Sequence, residues 1–262
     1  MKDQEIKVIL LIGQSNMEGF SFCQYLKTPF QKSENVRISY WKNMENGEND
    51  VVKLGYGYIP DCFGAEIGIS TCLKEYPDSS FLLIKYAIGG TNLAEQWMSP
   101  SKGNIGPCYE GTINYVKKCF EYLNKQNKKA KLVSIVWMQG NSDCDNPDWV
   151  KNYYENEHSL ILDLRKDLFI YSHDENVPFI DVLVSDPGSG QASGDNLMID
   201  EAKKKNVNSL KNAYLVDTIK EGLSKIQEPY NNVDNLHYDA ESEYKLGILM
   251  GETIIKALHL RR

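Results

Sequence analysis

The chain has 262 residues, 42% of them hydrophobic and 11% aromatic, enough to bury a sizeable core as one large α/β domain. With 36 acidic against 29 basic side chains the net charge is −7, which removes the electrostatic footprint that nucleic acid or an anionic membrane surface requires and points to a small or neutral partner. No apolar run approaches the length of a membrane-spanning helix, and "MKDQEIK" has neither the basic segment nor the long apolar region of a secretory signal, so a cytoplasmic chain is expected.

The first predicted strand, Lys7 to Ile12, runs directly into Gly13-Gln14-Ser15-Asn16-Met17. Ser15 therefore lies at the carboxyl edge of a sheet, either as an exposed nucleophile or as a helix N-cap that bonds an amide one turn on. Met17 stands where the second glycine of a G-x-S-x-G elbow belongs, so this is not that motif. A strand at Val36 to Tyr40 follows within an irregular stretch, Thr28 to Pro60. Glu66, in "FGAEIG", is either an acceptor behind a site or an exposed carboxylate at a helix start.

The strand Phe81 to Ala87 ends in Gly89-Gly90, and Leu132 to Met138 ends in Gln139-Gly140. Between them Ile113, Val116, Cys119, Phe120 and Leu123 follow a helical period. A second helix carries Val150, Tyr153, Tyr154, Ile161, Leu164 and Leu168 on one face, interrupted by the polar Glu157. The strands Pro178 to Val184 and Ala213 to Val216 bracket "DPGSGQASGDN", whose Asp186 to Asn196 reads as a loop. A last helix begins near Ala240 and stacks Gly247, Gly251, Ile254 and Leu258 along one stripe. Short apolar strands alternating with amphipathic helices predict a parallel sheet covered on both faces, with ligands at the carboxyl ends of its strands.

A serine nucleophile needs a base, and the base needs an orienting acceptor. Of four histidines, His158 lies inside a helix, His173 in a polar loop and His259 near the end of the chain, positions that suit packed or solvated side chains. His237 follows Asp234 by three residues in "NNVDNLHYD", a spacing that sets a carboxylate against Nδ1 across one turn and leaves Nε2 free. The glycines at 89 and 90 and the glutamine at 139 supply amide donors at neighbouring strand ends. The six cysteines, at 23, 62, 72, 108, 119 and 144, show neither a Cys-x-x-Cys pair nor zinc spacing and read as reduced thiols. "GSGQASG" lacks both the Walker lysine and the dinucleotide glycine pattern, which excludes a phosphate cradle.

"GQSNMEG", "AIGGTNL", "WMQGNSD" and "DNLHYDAESEYKLG" resemble, in order and spacing, the blocks of the SGNH (GDSL-like) hydrolases, in the GQSNM branch of sialate O-acetylesterases and acetylxylan esterases. "YYENEHSLILDLRKDL" and "NAYLVDT" extend the resemblance over nearly the whole chain. It implies a flavodoxin-like three-layer α/β/α sandwich with a central parallel sheet, one domain over residues 1–262, no metal or organic cofactor, and an acetylated saccharide as substrate. By motif, Ser15 is the nucleophile, His237 the general base and then acid, and Asp234 the orienting carboxylate. The oxyanion donors are the Ser15 amide, the Gly90 amide with Gly89 as the adjacent alternative, and the Gln139 side chain.

One position departs from the branch, whose third block reads W-x-Q-G-E-x-D: Asn141 replaces the glutamate, while Asp143 remains. The resemblance implies a carbohydrate O-acetylesterase working through an acyl-enzyme. Transfer of the acyl group to a sugar hydroxyl would use the same site, and the change at Asn141 raises a non-catalytic saccharide-binding module as a third reading. Trp41, Trp97 and the Tyr56-Gly57-Tyr58 turn are candidate sugar platforms, set against ordinary burial of aromatic rings.

Overall fold

The computed structural model describes residues 5–184, 194–223, 228, 234 and 236–261. Its strands are β1 (Ile6–Gly13), β2 (Ser21–Phe22), β3 (Val36–Tyr40), β4 (Asp50–Val51), β5 (Cys62–Phe63), β6 (Phe81–Ala87), β7 (Ala130–Met138), β8 (Phe179–Val182) and β9 (Ala213–Val216). Its helices are α1 (Ser15–Glu18), α2 (Glu66–Leu73), α3 (Pro107–Lys125), α4 (Pro147–Asp167), α5 (Phe169–Ser172), α6 (Gly194–Ser209), α7 (Thr218–Glu221) and α8 (Ala240–Ala257).

Seven strands form one sheet in the order β4-β3-β6-β1-β7-β8-β9, parallel except for the two-residue edge strand β4; β2 and β5 form a separate antiparallel ribbon. Every strand expected from an apolar run is present, within a few residues at its ends. The additions β2, β4 and β5 are two residues long, too short to carry a readable pattern.

Side-chain alternation in β1 divides the core. Ile9 and Leu11 pack on the face shared with α2 and α8, whereas Val8, Leu10 and Ile12 pack on the face shared with α3 and α4. The result is the expected three-layer sandwich. No described helix is long and apolar enough to cross a membrane.

Two departures from the sequence reading have physical causes. The loop expected over Asp186 to Asn196 gives way at Gly194 to α6, whose weakly segregated apolar and polar residues conceal its period; residues 185–193 lie outside the described residues. Glu157, the polar interruption on α4, is fully buried and belongs there: it accepts from Trp137 Nε1 at 3.1 Å, Asn206 Nδ2 at 3.0 Å and Lys203 Nζ at 3.1 Å. Lys203 also donates to Asp181 at 2.6 Å.

Strand order reverses at β1, which lies between β6 and β7. Gly13 is in register with Ala87 on one side and Met138 on the other, so three carboxyl ends open at one place.

Candidate active site

Gly13 makes the turn out of β1 possible. It has φ +145°, and a Cβ there would stand 2.0 Å from the Met138 carbonyl oxygen. That carbonyl instead accepts from the Gln14 amide at 2.9 Å. Gln14 takes the cap position of α1 and Ser15 is its first helical residue, so the N-cap alternative for Ser15 is not what the chain adopts. The Gln14 side chain crosses to the next strand end, where Oε1 accepts from the amides of Gly140 at 3.0 Å and Ser142 at 3.3 Å.

Ser15 faces a cavity of about 560 Å³, also lined by Gly90, Asn141 and His237. Asp234 Oδ2 lies 2.5 Å from His237 Nδ1, while Asp234 Oδ1 accepts from the amides of Leu236 at 2.7 Å and His237 at 3.3 Å. Burial pushes the Asp234 carboxyl up, but these hydrogen bonds outweigh it and hold it below the usual carboxylate range. With Nδ1 engaged, Nε2 is the nitrogen left for chemistry. The ring is held flat by Phe20, whose centroid is 4.2 Å away at 14°, and Phe20 in turn stacks on Tyr58 at 4.5 Å.

The Gly89-Gly90 turn brings Gly90 to the same cavity, at φ +71° with open space where a Cβ would project. Gly89 lines that cavity too, but its amide is already engaged, donating to Glu18 Oε2 at 2.6 Å. Glu18 is buried, pairs with Lys42 Nζ and accepts from Tyr40 Oη at 3.4 Å, and so ties α1 to the glycine turn. The downstream part of that turn is held by Asp143, which accepts from the amides of Leu93 at 2.8 Å and Ala94 at 3.2 Å. Burial pushes the Asp143 pKa up to about 6 in spite of these donors.

The Gln139 side chain does not line the cavity. It is fully buried, with Nε2 donating to the Thr91 carbonyl at 3.0 Å and to Asp143 Oδ2 at 2.6 Å, and Oε1 accepting from Tyr153 at 3.1 Å. Asn141, the departure from the branch pattern, does line it, and its Nδ2 reaches Val184 O at 3.4 Å and Asn196 Oδ1 at 3.3 Å. The other histidines are apart: His158 bonds Asn206 on α6, and His173 and His259 adopt left-handed backbone.

Glu66 is the first residue of α2 and wholly buried, so the exposed reading fails; Lys85 donates to it at 2.7 Å. Among the aromatic candidates, Trp97 is sealed in the core against Trp137 and Tyr56 is buried with its hydroxyl on Asp50. Tyr58 stands at the cavity mouth, 51% exposed, and Trp41 is half-buried outside this cavity. Sequence reasoning missed Glu18, Phe20 and Lys42. Glu18 had a local signal, a carboxylate inside the GQSNMEG block; Phe20 directly follows that block but meets His237 only through long-range packing, as Lys42 meets Glu18.

A family model described as carbohydrate esterase, sialic acid-specific acetylesterase matches residues 5–256. The chain belongs to this family. As a member of the carbohydrate esterases it is a carboxylic ester hydrolase that removes acetyl groups from saccharides. Solved structures agree in fold. A protein of Arabidopsis thaliana superposes with a TM-score of 0.70 at 19% identity, over 96% of this chain and 98% of the other. NanS gives a TM-score of 0.70 at 14% identity over the whole of both chains. A carbohydrate acetylesterase from Xanthomonas citri gives 0.62 at 14%, over 97% of this chain and 57% of the other. A search among curated protein sequences finds no match.

Proposed function

We propose that this esterase, as one domain over residues 1–262, deacetylates saccharides through an acyl-enzyme on Ser15. The observation that carries the reading is the 2.5 Å contact of Asp234 with His237 Nδ1, on a ring that shares a cavity with Ser15. Ser15 Oγ attacks the ester carbonyl carbon while His237 Nε2 takes its proton; Asp234 stabilises the imidazolium that forms. The amides of Ser15 and Gly90 donate to the oxyanion. Collapse breaks the bond to the sugar oxygen, which takes the proton back from His237. Water, deprotonated by the same imidazole, then attacks the acetyl-serine and acetate leaves.

Gln139 enters as a third donor only by exchanging one of its present acceptors; in the arrangement described it holds the glycine turn in place. The ion pair of Lys42 with Glu18 gives the buried carboxylate a counter-charge in the cavity wall, to which Asp145 adds an exposed carboxylate. The net charge of −7 supports a partner other than nucleic acid or an anionic membrane. The six cysteines form no disulfide among the described residues, which supports action in a reducing, cytoplasmic setting.

Hydrolysis of p-nitrophenyl acetate, and then of acetylated xylose and O-acetyl sialic acid, tests the assignment. Ser15→Ala is expected to lower kcat by roughly 10⁵-fold or more with the fold intact. Wild-type turnover in that variant would remove Ser15 as the nucleophile.

A further inference from the structure

A second cavity of about 390 Å³ adjoins the catalytic one, bounded by Trp41, Lys42, Tyr86, Gly111, Asn114 and Lys118 among others. We propose that it is a saccharide subsite, which receives the sugar ring next to the acetylated one, so that this protein acts on acetylated oligosaccharide chains. The proposal rests on the esterase reading of the first cavity.

The two cavities share a wall. Lys42 lines both, pairs with Glu18 in the first, and holds its ammonium 4.8 Å from the Tyr58 ring centroid and 5.9 Å from that of Trp41. Trp41 is fixed to the strand that leads to the glycine turn, its indole Nε1 donating to the Ala87 carbonyl at 3.1 Å. Ile88, the next residue, lines the catalytic cavity. A chain that leaves the first cavity past Lys42 therefore meets the Trp41 ring.

The lining has the chemistry of sugar recognition. Trp41 and Tyr86, both half-buried, set their rings 5.2 Å apart at 37°, which offers aromatic surface to the C–H groups of a pyranose face. Asn114 and Lys118 are exposed on α3 at the rim and supply polar groups for ring hydroxyls. The Tyr86 hydroxyl makes no hydrogen bond with any described residue, and burial raises its pKa, so it keeps its proton and stays a donor. α3 leaves room for that hydroxyl by carrying a glycine: a Cβ on Gly111 would lie 1.9 Å from Tyr86 Oη. A size of about 390 Å³ belongs to the range of small-molecule sites.

The experiment compares kcat/KM on monoacetylated xylose against acetylated xylotetraose, and on O-acetyl sialic acid against O-acetylated oligosialic acid, with p-nitrophenyl acetate as the reference ester. Wild type, Trp41→Ala, and the double variant Tyr86→Phe/Asn114→Ala are assayed. Wild type is expected to prefer the longer member of at least one series. Trp41→Ala should lower kcat/KM on that longer substrate by about tenfold, mostly through KM, as loss of an aromatic anchor does. The double variant, which keeps the Tyr86 ring packed, should lower it by a smaller factor. All variants should keep their p-nitrophenyl acetate turnover within about twofold, since none of these residues lines the catalytic cavity.

Absence of a chain-length preference in both series, or an equal loss on short and long substrates in the variants, overturns the subsite. Failure of the esterase reading is distinct, because it shows as Ser15→Ala retaining wild-type turnover of p-nitrophenyl acetate.

Discussion

The pair formed by Asp234 and His237 shows how little of a site three residues of spacing determine. Spacing allows the carboxylate to reach Nδ1, but the ring plane is set by Phe20, which is far away in sequence and stacks at 4.2 Å. Asp234→Asn should leave this stack in place and disturb the imidazole tautomer, lowering kcat on the order of 10⁴-fold while KM for p-nitrophenyl acetate changes little. Steady-state kinetics with circular dichroism as a folding control measures it.

Asp143 acts through pH. Its folded-state pKa of about 6 exceeds the ordinary 3.8, so the protonated form is favoured by folding. That stabilisation is complete below about pH 4 and is lost as pH rises through about 6. Relative to Asp143→Asn, the wild type should lose on the order of 3 kcal/mol of unfolding free energy between those limits. Urea titrations of both proteins at intervals from pH 4 to pH 7 test it; a constant difference would refute it.

At the scale of elements, the clearest dependence is between α2 and α8, which the sequence shows only as a glycine stripe. A Cβ on Gly247 would lie 2.2 Å from the Ala65 carbonyl oxygen and 2.8 Å from Gly68 Cα, so the two helices meet backbone to backbone. Gly247→Ala must push them apart. A cost of about 1–3 kcal/mol is expected, a fall of roughly 2–10 °C in Tm, with esterase activity per folded molecule retained below the transition. The strands were legible because a buried parallel strand is a short apolar run, and β1, β3, β6 and β9 match their runs closely. Helix α6 was not legible, because Asp200, Lys203 and Asn206 are polar residues on its buried side and erase its period.

At the scale of the whole molecule, those polar residues join distant elements. Lys203 on α6, Asp181 on β8 and Glu157 on α4 meet without exposure to solvent. Burial drives the Asp181 carboxyl well above its usual range, while the Lys203 ammonium that donates to both acids opposes that rise. Lys203→Met would leave Asp181 and Glu157 without their shared donor and should cost about 3–5 kcal/mol, read as a lower denaturant midpoint. A variant as stable as wild type would show that the cluster adds nothing.

The sequence by itself determined the α/β class and the order of the parallel strands along the chain, and it proposed the short list Ser15, Gly90, Gln139, Asp234 and His237, because strand burial and block spacing are local properties. Tertiary structure alone decided which donors face the cavity. Gly89 and Gly90 both line it, but the Gly89 amide is held by Glu18, and the Gln139 amide is held away from it by Thr91 and Asp143. These partners lie on other strand ends, and a side chain's free hydrogen-bonding capacity depends on what packing has already assigned to it.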